Sequence, residues 1–240
     1  MARRVSSICF LAISLTVFWP SIASPGFAQK SPGPQPAPLP PAIPAPVDAP
    51  YAGTLSLSVD LTNVNARILN VHETIPVKPG AIILLYPQWL PGNHAPSNLV
   101  SNLAGLVITA DGKRIPWTRD RVDMWAFHVD VPSGAISLDL SFQYLAPIRP
   151  QQGRISNKFA DLTWNSVLLY PAGYFSRQIR FAPELRLPDG WKFASALDVK
   201  SQDGNVIQFK DTTLNTLIDS PLYAGVNFKR VDISSGPDNP

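Results

Sequence analysis

The chain has 240 residues and a formal charge of +3 from 20 basic and 17 acidic side chains, with one cysteine and 45% hydrophobic residues. That length suits a single domain of ordinary size flanked by extra segments. The near-balanced charge and the absence of any long Lys/Arg run exclude a nucleic-acid or anionic-lipid footprint, and a single cysteine excludes a disulfide framework or a thiolate metal site.

The N-terminus has the form of an export signal. Arg3 and Arg4 precede an apolar stretch from Ile8 to Trp19 that is too short to cross a bilayer and breaks at Pro20. Gly26-Phe27-Ala28 is the preferred cleavage site and Ser21-Ile22-Ala23 its competitor. Residues 1–28 are therefore read as a signal peptide, with a periplasmic or secreted bacterial location and no stable membrane span once it is removed. Cleavage would take away Cys9 and two arginines, lowering the formal charge to +1.

Residues 29–50 hold nine prolines among Ala, Gly, Gln and Ser, a composition that predicts a disordered, extended, polyproline-like linker. From Tyr51 to Val231 the dominant period is two. Leu55, Leu57, Val59 and Leu61 alternate with small or polar residues; so do Trp125, Phe127, Val129 and Val131, and Ile136, Leu138, Leu140, Phe142 and Tyr144. Each run predicts a strand with one face on a core and one toward water. Ile82 to Tyr86 is apolar throughout and predicts a strand buried on both sides. Lys78-Pro79-Gly80, Asp111-Gly112, Pro132-Ser133-Gly134, Asp189-Gly190 and Asp203-Gly204 mark turns. Ile179 to Leu187 predicts a strand interrupted at Pro183, tolerable at an edge or bulge. One or two short helical turns are predicted, at 161–169 and 212–218. The expected fold is an all-β antiparallel sandwich over 51–231, followed by a polar tail at 232–240.

Few residues carry chemistry. His72-Glu73-Thr74-Ile75-Pro76 begins like the H-E-x-x-H zinc helix, but Pro76 replaces the second histidine, and the β-branched surroundings read as strand. His94 and His128 complete the histidines, on segments whose spacing does not demand convergence. His128 is expected to form a surface pair with Asp130, and Arg119-Asp120-Arg121 a surface ion cluster. There is no G-x-S-x-G elbow and no glycine-rich phosphate loop. The sequence thus assigns no catalytic and no metal-binding residue. The tract from Tyr86 to Ser97, stiffened by Pro87, Pro91 and Pro96, holds the surplus chemistry. Trp89 filling the end of the sandwich as a plug is the preferred reading. A binding or interface loop presenting Trp89, Asn93 and His94 is the other.

Five stretches together resemble one family: Tyr86-Pro87-Gln88-Trp89-Leu90-Pro91-Gly92, Leu103-Ala104-Gly105-Leu106, Leu168-Leu169-Tyr170-Pro171-Ala172-Gly173, Leu187-Pro188-Asp189-Gly190-Trp191 and Leu217-Ile218-Asp219-Ser220-Pro221. From about residue 52 onward the chain resembles the N-terminal, non-catalytic domain of the glycyl aminopeptidases, zinc metallopeptidases that also carry a PDZ domain. Asn93 and His94 stand where that family often has an aromatic residue. The resemblance implies that zinc and its H-E-x-x-H helix belong to a separate catalytic domain, that this chain itself holds no cofactor, and that the β-domain helps shape a substrate cleft. The partners it implies are that catalytic domain and a peptide substrate, with no nucleic acid. A stand-alone periplasmic peptide- or glycan-binding adaptor is the alternative.

Overall fold

The computed structural model describes residues 33–89, 92–148 and 155–231. The proposed signal peptide, the start of the proline-rich stretch, Leu90, Pro91 and the polar tail lie outside the described residues. Met1–Pro38 and Leu39–Pro240 are separate compact units. Of the first, residues 33–38 are exposed and without regular structure.

The second unit is built from strands. In chain order they are β1 (Thr54–Asp60), β2 (Ile68–Pro76), β3 (Gly80–Leu85), β4 (Leu103–Ala110), β5 (Lys113–Ile115), β6 (Trp117–Arg119), β7 (Ala126–Val131) and β8 (Ser137–Leu145). There follow β9 (Phe159–Leu162), β10 (Tyr170–Pro171), β11 (Arg180–Arg186), β12 (Lys192–Ser195), β13 (Val199–Asp203), β14 (Val206–Phe209), β15 (Thr212–Thr213) and β16 (Leu222–Gly225). The large sheet runs β13-β14-β11-β1-β2-β8-β4-β5, with β15 also on β11; a second sheet runs β10-β3-β7-β6 and a third β12-β16-β9. One apolar core draws on all three. The two predicted helical turns are present: a 3-10 turn at Trp164–Ser166, and α1 at Leu214–Ile218, whose N-cap Thr213 hydroxyl accepts the Thr216 N–H at 3.2 Å.

The alternation does what its period requires. Leu55, Leu57, Val59, Leu138, Leu140 and Phe142 are buried, while Ser56, Asp139 and Ser141 on the opposite face are not. Ile136 departs from this, at 77% exposed. It precedes β8, where its carbonyl accepts the Val77 N–H at 2.9 Å and the chain has not yet entered the pleat. Asp111 and Gly112 both have positive φ (49° and 72°), the geometry a two-residue hairpin between β4 and β5 needs.

Almost all pairings are antiparallel, but β1 and β11 run parallel, matching Leu57 to Pro183. Pro183 thus lies inside the large sheet rather than at its edge. Arg186 O accepts from Leu61 on the β1 side, whereas Leu187 N and Ile179 O bond toward β14 and α1. By strand alternation the nitrogen of Pro183 faces the β14/β15 side. There the ladder is broken, with β15 matched to Arg180–Phe181 and β14 to Glu184–Arg186. The proline occupies the one stretch of β11 where a missing N–H costs no rung.

Glu73 is the exception on the inner face. It is fully buried between Leu57 and Leu140; Oε2 accepts the Leu169 N–H at 3.0 Å, and Oε1 has no partner among the described residues. Burial raises its pKa well above the ordinary carboxyl range, the Leu169 bond opposing only in part. Burial thus favours the protonated, uncharged carboxyl. Its contribution to stability is full below the unfolded carboxyl range and is lost as pH rises through the folded value. Glu73→Gln should remove that pH dependence, so that melting temperature measured against pH flattens relative to wild type. Glu73→Ala, which leaves a cavity and an unbonded Leu169 N–H, should cost about 2–4 kcal/mol below the unfolded carboxyl range and less as pH rises through the folded value.

Candidate functional site

Just after β3, where the sequence holds its surplus chemistry, hydrogen bonds tie the described residues to their neighbours. Tyr86 closes β3 and is buried; its N–H donates to Trp125 O at 2.8 Å and its hydroxyl to Ser166 O at 2.9 Å. Burial pushes its phenol upward. Ser97 N donates to Gln88 O at 3.1 Å and closes the base of the loop. Asn98, only 9% exposed, gives both amide hydrogens to carbonyls, Pro87 O at 2.7 Å and Asn165 O at 2.9 Å. Trp125 Nε1 donates to Asn98 O at 2.9 Å, tying the 120–125 loop to the 87–98 loop.

The second loop has its own organiser. Asp120 Oδ1 accepts the N–H groups of Val122 (2.7 Å) and Asp123 (3.0 Å), and Oδ2 meets His128 Nε2 at 2.8 Å. The Asp123 N–H first, then His128, hold the Asp120 carboxyl below its ordinary range. Asp123 Oδ1 in turn accepts Trp125 N at 3.0 Å. The stability this network adds is present above the ordinary carboxyl range and is lost as pH falls through the lowered value.

The three predicted residues sit on this support but are not brought together by it. Trp89 is 55% exposed, so it plugs no end of the sandwich, whereas Tyr86 and Trp164 are buried. Asn93 is exposed and donates to Ser97 Oγ at 2.8 Å, and His94 is exposed. His128 pairs with Asp120 across the β6–β7 connection, not with Asp130 two residues on, because Asp120 is held inward by its two backbone donors. That also removes Asp120 from the surface ion cluster. Asn98 carries no local signal in the sequence, and Trp125, expected on a strand face with Phe127, instead precedes β7 and ties the two loops. Leu99, Val122 and Met124, all more than 40% exposed, add apolar surface on the same two loops as Trp89.

The His72-Glu73 pair does not form half of a zinc helix. His72 and Glu73 are neighbours on β2 and so point to opposite faces: His72 Nδ1 meets Ser141 Oγ at 3.1 Å on the outer face, Glu73 lies in the core. Among the described residues no three His, Cys, Asp or Glu side chains gather where a metal ion could be held. No helix among them is long and apolar enough to cross a membrane. What the described residues of the two loops offer is a hydrogen-bonded platform with an exposed indole.

The fold is similar to that of a solved structure. An aminopeptidase N family protein from Idiomarina loihiensis is 19% identical with a TM-score of 0.62, over 72% of this chain and 29% of that one. An M1 zinc metallopeptidase from Deinococcus radiodurans is 13% identical with a TM-score of 0.44, over 78% of this chain and 44% of that one. At such identities the first likeness is one of fold. The chain thus spans less than half of either. No curated protein sequence matches it. The family described as Peptidase M61 N-terminal domain matches residues 56–226, and the chain belongs to that family.

Asn98→Ala should cost about 2–4 kcal/mol by leaving two buried carbonyls without donors. Amide exchange should then accelerate in 92–100 and 120–126 while β1, β2 and β8 stay protected.

Proposed function

We propose that this chain supplies the non-catalytic N-terminal β-domain of a glycyl aminopeptidase-like zinc metallopeptidase, and that its loop end forms one wall of the substrate cleft. The single observation that carries the reading is the family match over residues 56–226, nearly the whole strand-built unit. In this reading the zinc, its ligands and the general base come from a catalytic domain outside these 240 residues. The PDZ domain of such peptidases would likewise lie outside them. The apolar groups exposed on the pinned loops (Trp89, Leu99, Val122 and Met124) support a contact role, because stiff loops present side chains at low entropic cost. The export-type N-terminus supports a periplasmic or secreted setting, with the proline-rich stretch as spacer. The same exposed Trp89 favours one second reading, a stand-alone periplasmic adaptor for a peptide or glycan.

The test combines the purified chain with an H-E-x-x-H catalytic domain from the family and follows cleavage of glycyl and alanyl anilides. The chain alone should hold no stoichiometric zinc and turn nothing over; the pair should be active. Trp89→Ala should lower kcat/KM of the pair about tenfold, chiefly through KM. Chelator-sensitive turnover by the chain alone would overturn the reading. Retention of a peptide or glycan by the chain alone, with no gain from the catalytic domain, would favour the adaptor.

A further inference from the structure

The proline-rich stretch does not run free up to the first strand. Pro44 to Asp48 lies extended along the segment that follows β10. Val47 N donates to Gly173 O at 3.0 Å and Phe175 N donates to Val47 O at 3.4 Å, a parallel bridge between Val47 and Tyr174. Asp48 continues the contact: Oδ2 lies 2.7 Å from Arg177 Nη2, and Oδ1 accepts from Gln178 Nε2 at 2.6 Å. At the other end Pro44 rests on Gly173, where an added Cβ would come within 3.2 Å of Pro44 Cβ; Gly173 has φ +89°, so the close approach and the backbone both call for glycine.

The receiving side is organised independently of its occupant. Arg177 stacks over the Phe175 ring at 4.5 Å, which aims its guanidinium. Phe175 O accepts Gln178 N at 2.8 Å in the 3-10 turn Ser176–Gln178, and Tyr174 packs edge-on to Tyr51 at 5.0 Å. The edge therefore reads three features: a proline against Gly173, main-chain groups three residues on, and a carboxylate one residue further. Val47 is 53% exposed, so its side chain is not read.

The occupant is weakly held. It makes two backbone bonds at the surface and an ion pair whose side chains are both more than half exposed, a class of contact that adds little to stability. Its place is kept by proximity. Tyr51, three residues on, is fixed by its N–H to Gln178 O at 2.9 Å and by its hydroxyl to Pro76 O, so docking closes only a short loop.

We infer that residues 173–178 form a peptide-binding edge for extended segments of pattern Pro-x-x-x-Asp, occupied in cis by Pro44 to Asp48 and open to a peptide of the same chemistry when that segment lifts away. This inference does not depend on the peptidase reading, since the edge does not include the loops at Trp89.

On the full chain, amide exchange at Val47 and Phe175 should be slow in wild type and about tenfold faster in Asp48→Lys. A fluorescent peptide copying residues 40–50 should bind the Asp48→Lys chain about tenfold tighter than wild type, because its own segment no longer competes. Adding Arg177→Glu should restore slow exchange through the swapped pair and abolish binding of the Asp-bearing peptide. Equal exchange in wild type and Asp48→Lys, no slowing in the double variant, or a peptide that binds both chains alike would each overturn the inference.

Discussion

The structure depends on satisfying a stretch of irregular backbone at its centre. Residues 164–169 are all buried, yet beyond one 3-10 turn they belong to no helix or ladder. Buried peptide groups without partners are expensive, so something else must bond them. Glu73 takes the Leu169 N–H, Tyr86 and Asn98 donate to Ser166 O and Asn165 O, and Trp164 reaches out through Nε1 to Ser220 O at 3.0 Å. Just beyond, Ala172 N donates to Ile83 O at 2.8 Å. Four distant parts of the chain each give a polar group to one segment, and the three sheets close around it.

That arrangement explains features that look unrelated in sequence. A glutamate in the middle of an apolar strand face is costly unless its carboxyl is neutral and bonded, and Leu169 provides the bond. A buried tyrosine needs its hydroxyl satisfied, and Ser166 O does so. Asn98 serves two masters, the central segment through Asn165 and the loop through Pro87. The hydrogen bonds of the loop end therefore lead back to the core, through one amide and then through the Trp125 indole.

The strands and the fold class were legible because a period of two needs only local information. Leu55 to Leu61 and Leu138 to Tyr144 state their faces without reference to any partner. The same period cannot say which strands pair: that β1 lies parallel to β11, 126 residues later at Ser58 and Glu184, is a property of the whole chain. Pro183 shows the limit, since its place beside a broken ladder depends on where β14 ends and β15 begins. The candidate loop was legible from its prolines and glycine, but its support was not. Tryptophans commonly pack, yet the Trp89 indole is 55% exposed while Tyr86 and Trp164 are buried. Asp120 and His128 meet because Val122 and Asp123 turn the carboxylate inward, a turn that Asp130 cannot make from β7. The hold of residues 173–178 on Pro44 to Asp48 was invisible because composition describes a segment's own preference and not the edge it meets.

Native-state hydrogen exchange of the Leu169 amide addresses this account most directly. If the central segment is bonded as described, that amide exchanges only through global unfolding, with the same free energy as the amides of β2 and β8. Exchange of Leu169 by local opening, while β2 and β8 remain protected, would contradict it.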